Sequence, residues 1–76
     1  MSEKIKQDIS IGQNLKSLRI KNNLTQDQVA AKLQTMGLIA SREIISQMEL
    51  GKYSIRISIL LALKDMYKAS FDDFFK

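Results

Sequence analysis

Apolar residues recur every three or four positions through most of the chain, and short polar stretches divide that pattern into five helical segments. The first opens at Ser10, which pairs with Gln13 as a capping box, and carries Ile11, Leu15 and Leu18 on one stripe. Arg19 falls on the flank of that stripe, near the expected core boundary, whereas Lys16 and Lys21 point elsewhere. Asn22-Asn23 ends the segment, because asparagine tolerates the left-handed conformation that a helix terminus needs. The second segment runs from Gln26 to about Met36, behind a capping box of Thr25 and Gln28 and a staple of Leu24 with Val29. Val29, Ala30 and Leu33 face inward, and Gly37 is the stop signal. Leu38-Ile39-Ala40 makes the connection, with Leu38 and Ile39 expected to plug into the core.

Ser41–Glu49 is the segment around which the others are arranged. With Ser41 as cap and about 100° per residue, Ile44, Ile45 and Met48 gather on one side. Glu43, Ser46 and Gln47 form the opposite side, with Arg42 at its edge. Alone, such a face is also what an ordinary solvated helix presents. Its setting adds information: a well-capped helix, a short glycine-containing connection and then an amphipathic helix make the arrangement of a helix-turn-helix. Beyond Gly51 come a basic loop, Lys52-Tyr53-Ser54-Ile55-Arg56, and an apolar helix from about Ile57 to Tyr67. Ser70 caps a short last helix, Phe71–Phe75, whose Asp72 and Asp73 suit its positive N-terminus.

Leu24-Thr25-Gln26, Val29-Ala30-Ala31-Lys32-Leu33, Ser41-Arg42, Ile45-Ser46 and Met48-Glu49-Leu50-Gly51-Lys52 together resemble the DNA-binding domain of the Cro and phage-repressor type, from about Ile11 to Phe75. The resemblance implies an all-α, compact five-helix domain over residues 11–76, here with a lengthened turn between its second and third helices. Residues 1–10 are polar and read as a flexible arm. The family pattern puts Ile57, Leu60, Leu63, Tyr67, Phe71 and Phe74 in the core. It has a small apolar residue where Lys64 stands, a terminating glycine at Lys68, and surface residues at Ile59 and Met66.

Composition narrows the function classes. A chain of 76 residues is one small domain, burying roughly 60% of its unfolded surface. There is no cysteine and no histidine, so disulfides, thiolate metal sites and the commonest general base are all missing. An enzyme is not expected, nor a cofactor or metal. No apolar stretch approaches the roughly 20 residues of a membrane span, and no signal-peptide pattern opens the chain, so a cytoplasmic protein is expected. The net charge is +4. Glu3 and Asp8 balance Lys4 and Lys6, and Asp65, Asp72 and Asp73 balance Lys64, Lys68 and Lys76, so the excess lies between Ile11 and Arg56. A basic surface there favours polyanions through counterion release, although such a charge also serves solubility.

Double-stranded DNA is therefore the expected partner. Arg42 suits a guanine edge, Gln47 an adenine edge, and Glu43 either accepts from a cytosine amino group or acts as a filter against wrong sequences. Ile44 lies between faces, for a thymine methyl or the core. The resemblance implies a phosphate contact at Gln26, which otherwise simply opens the second helix; Ser46 is a further backbone candidate, and Lys52, Tyr53 and Arg56 are either phosphate contacts or solvated residues of the loop. It also implies a structural ion pair between Arg19 and Glu49. The apolar surplus of the C-terminal third points to a homodimer through Ile59, Met66 and Phe75. A rival reading makes the domain a protein-interaction module, such as the antitoxin of a toxin–antitoxin pair, with that apolar surface as its working face.

Overall fold

A computed structural model describes residues 4–5 and 11–76. Five helices follow one another: α1 (Ile11–Lys21), α2 (Gln26–Thr35), α3 (Arg42–Glu49), α4 (Ile57–Met66) and α5 (Phe71–Phe74). Two short strands, β1 (Lys4–Ile5) and β2 (Ile55–Arg56), pair antiparallel, with Lys4 opposite Arg56 and Ile5 opposite Ile55. The expected Ser10 cap, and the expected arm apart from Lys4–Ile5, lie outside the described residues.

Most of the described helix boundaries have a local cause. The Thr25 hydroxyl accepts from the Gln28 N–H at 3.1 Å, and the Gln28 side chain accepts from the Thr25 N–H at 2.8 Å. The Ser41 hydroxyl accepts from the Ile44 N–H at 3.2 Å and starts α3. At α5 the Asp73 carboxylate accepts from the Ser70 N–H at 2.9 Å, and this hydrogen bond holds its pKa below the usual carboxylate value. Four helices end the same way, with a left-handed residue at Asn23, Gly37, Gly51 or Lys68. The following N–H then reaches back five residues, as from Leu38 to the Leu33 carbonyl at 3.1 Å and from Ala69 to the Lys64 carbonyl at 3.0 Å. Lys68 thus does, at φ 52°, what a glycine does without steric cost.

The core joins Ile11 and Leu15 of α1, Val29, Ala30 and Leu33 of α2, and Ile45 and Met48 of α3 to Leu60, Leu63, Tyr67 and Phe74. Asn14 Nδ2 donates to the Phe74 carbonyl at 2.8 Å, and Asn22 Nδ2 to the Tyr67 carbonyl at 3.1 Å, so α1 is bonded to both C-terminal helices. Three expectations about facing change. Ile39 is 84% exposed and Ala40 takes the inward position beside the half-buried Leu38. Ile59 is 3% exposed while Ile57 is 44% exposed. With α4 starting at Ile57, residues 59, 60, 63 and 67 share one side, and Ile57 and Leu61 fall opposite. Ile59 therefore belongs to the core and cannot serve a dimer surface; Met66 is half-buried against the same core. Phe71, expected inside, is 47% exposed because Phe74 alone fills the inner position of so short a helix.

Candidate nucleic-acid interface

The inner face of α3 is fixed by burial. Ile45 and Met48 are sealed in the core, and Glu49 is buried beside them. Burying a carboxylate is costly unless it is paired and hydrogen-bonded, and Glu49 has both kinds of partner. Arg19 Nε donates to its Oε2 at 2.7 Å and Nη2 to its Oε1 at 3.1 Å, with side-chain exposures of 11% and 4%. The Gln26 amide adds a third donor to Oε1 at 3.1 Å. Arg19 Nη1 meanwhile donates to the Leu24 carbonyl at 2.9 Å. Hydrogen bonding to Glu49 raises the already high guanidinium pKa, which keeps the charge in place. One cluster thus ties the end of α1, the start of α2 and the end of α3 together.

Close approach makes that junction possible. A Cβ on Gly12 would stand 2.7 Å from the Met48 carbonyl oxygen and still nearer that of Glu49, both backbone atoms. Only glycine lets α1 lie so close to the last turn of α3. The same contact places the exposed Gln13 and Lys16 beside α3, and they line a groove of about 430 Å³ with Gln26, Ser46, Leu50 and Gly51. Lys16, read from sequence as pointing elsewhere, also borders a second groove with Thr25, Gln26, Asp27 and Arg42. Its helical spacing from Gly12 was the available signal, but only the packing of α1 on α3 gives it meaning.

Outward from this anchor, Arg42, Glu43 and Gln47 are exposed and Ser46 and Ile44 half-buried. Ser41, Glu43, Ile44, Ser46 and Gln47 share a depression with Tyr53, so the loop after α3 closes one side of its outer face. Arg42 and Ser46 lie on the other side with Gln26, whose side chain is held by Glu49. Lys52 is exposed in the loop and Arg56 in β2, which follows it, and the Lys52 N–H is bonded to the Gln47 carbonyl at 2.9 Å. Among the described residues, no cluster of His, Cys, Asp or Glu is arranged to hold a metal, and no helix is long and apolar enough to cross a membrane.

A capped helix, a turn and a second helix with a solvent-facing polar side, braced by a third, define a helix-turn-helix domain. The chain matches the Helix-turn-helix family over residues 15–74 and belongs to it, as a domain of the Cro and phage-repressor type. That family consists of DNA-binding regulators rather than enzymes. No curated protein and no solved structure matches the chain.

Proposed function

We propose that this protein is a small transcriptional repressor that binds specific duplex DNA sequences with α3 in the major groove. The observation that carries this reading is the outer face of α3. Arg42, Glu43, Ser46 and Gln47 project from a helix whose opposite face is locked by Ile45, Met48 and the Glu49 cluster. Rigid presentation lowers the entropy cost of making directed contacts. In this reading Arg42 reads guanine through two donors, Gln47 reads adenine with a donor and an acceptor, and Glu43 accepts from cytosine. Gln26, Ser46, Lys52, Tyr53 and Arg56 hold the phosphate backbone, and Gln13 and Lys16 join them from α1. Selection of bound sites from random duplexes at fixed salt tests the proposal. A defined sequence should emerge, with affinity that falls steeply as salt rises. Recovery of random sequence, or binding insensitive to salt, would refute it.

The operator-bound form in this reading is a homodimer. Ile57 and Leu61 are exposed on the outer side of α4, and Lys64, next along that side, lies 5.3 Å from the ring of Phe71. Phe75 follows Phe71 by one helical turn, and these four apolar residues are each 42–47% exposed. Met66 is half-buried against the core and borders a different groove, with Leu24, Lys32 and Met36, so it does not belong to this patch. A two-fold axis through the patch would bury it in a self-complementary interface and present two recognition helices to half-sites roughly 34–36 Å apart. Sedimentation of wild type, Leu61→Glu and Phe75→Glu with cognate DNA checks this: the wild type should sediment as a dimer and the variants as monomers. A wild-type monomer on DNA would remove the dimer, and a stoichiometric foreign protein on the same patch would favour the interaction-module reading.

A further inference from the structure

The lengthened turn between α2 and α3 ends in a feature that the helix-turn-helix arrangement leaves unused. Ile39 is 84% exposed, the highest value of any large apolar residue described. A lone exposed isoleucine is ordinary on a protein surface. This one differs because its surroundings are fixed on both sides. On one side the Leu38 N–H is bonded to the Leu33 carbonyl at 3.1 Å and the half-buried Leu38 packs on the core. On the other, Gln34 Nε2 donates to the Ala40 carbonyl at 2.5 Å, and Ala40 itself is buried. The backbone is extended at Ser41 (φ −126°, ψ 165°), where the α3 cap begins.

In an extended segment, alternate side chains share a side. Exposure follows that rule: Ile39 out, Ala40 in, Ser41 out. Ser41 in turn lines the depressions on both sides of α3, together with Arg42 and Gln26 on one and Glu43 and Gln47 on the other. Ile39 therefore shares a side of the turn with Ser41, which borders the outer face of α3, and it stands three residues before Arg42. Three residues reach at most roughly 10 Å, within two or three base-pair steps of whatever Arg42 touches. The N-terminal end of a recognition helix is the part that meets base edges.

The geometry points to Ile39 as a specificity-determining residue that reads a thymine by contact with its C5-methyl group, beside the base pairs read by α3. This rests on the proposed DNA-binding function. An aliphatic side chain is the right chemistry, since the methyl is the apolar feature of the major groove and marks T·A against the other pairs. Gln34 is the positioning residue for this contact, because its bond to Ala40 sets which way the turn faces.

The test replaces each thymine of the selected site in turn with deoxyuridine, which removes only the methyl, and measures binding by wild type and Ile39→Ala. At one position per half-site, deoxyuridine should weaken wild type about fourfold, the factor corresponding to ~0.8 kcal/mol for one buried methyl. Ile39→Ala should be insensitive to the same replacement, should lose the thymine preference there, and should melt with wild type because the side chain is exposed. Gln34→Ala should blunt the preference while leaving those at the Arg42 and Gln47 positions intact. Equal deoxyuridine sensitivity of wild type and Ile39→Ala at every position would overturn the inference while leaving α3 as the reader. Failure of wild type to select any sequence would instead overturn the DNA-binding reading itself, and this inference with it.

Discussion

Alanine in place of glycine ordinarily strengthens a helix by roughly 0.5–1 kcal/mol, but at position 12 the sign is expected to reverse. Gly12 lies in the first turn of α1 and faces the last turn of α3. The added Cβ would sit 2.7 Å from the Met48 carbonyl oxygen, 0.7 Å inside the 3.4 Å at which ordinary contact begins. The Glu49 carbonyl lies closer still. These are backbone atoms, and no flexible side chain can give way, so α1 and α3 must separate. Separation loosens Ile11 and Leu15 against Ile45 and Met48, and it strains the Arg19–Glu49 bonds made at the same junction. Overpacking of this kind costs about 1–3 kcal/mol; after the helical gain, a net loss of up to roughly 2.5 kcal/mol remains. For a domain of this size that lowers the melting temperature by up to roughly 20 °C. Urea unfolding of Gly12→Ala should show a lower midpoint with the same slope, since the surface exposed on unfolding is unchanged. A variant more stable than wild type, showing the helical gain without the clash, would refute the close approach of α1 to α3.

Arg19→Ala leaves Glu49 buried with the Gln26 amide as its remaining side-chain donor, and is expected to cost about 3–5 kcal/mol; melting within a few degrees of wild type would contradict this. Lys68→Gly should raise stability by about 1 kcal/mol, because glycine takes the left-handed conformation without the Cβ clash, as a higher thermal midpoint would show. Arg42→Ala and Gln47→Ala should each lose about 1–3 kcal/mol on the selected site and relax one base pair, whereas Lys52→Ala should weaken all duplexes alike and reduce the salt slope by about one. Burial pushes the Tyr67 hydroxyl well above its ordinary pKa of 10.0, with the nearby Glu49 charge adding to it. The folded state therefore favours the neutral phenol, so this contribution is full below pH 10 and is lost as pH rises toward the folded value. Tyr67→Phe should show a shallower alkaline loss of stability than wild type.

Local chemistry made most of the architecture legible in the sequence. The Thr25–Gln28 box, the Ser41 cap, the Asn23 and Gly37 stops and the apolar periods of α2 and α3 depend on residues within a few positions of one another. They mark helices wherever they occur, and the outer face of α3 follows from its period alone. What needed the tertiary structure was the direction each element faces and what stands opposite it. Ile57 and Ile59 are both apolar and two positions apart; which one is buried depends on where α4 begins and on which side the core lies. Ile39, expected in the core, faces outward while Ala40 is buried and its carbonyl accepts from Gln34, a contact that the pattern of the connection does not show. Lys16 joins the α3 surface, and Gln26 bonds to Glu49 rather than simply opening α2, through contacts between residues far apart in the chain. Gly12 carries no sequence signal for its role, since nothing in a helix's own pattern shows that another backbone passes against it. Periodicity and capping are short-range properties of one segment, whereas facing and close approach exist only between segments once they have packed.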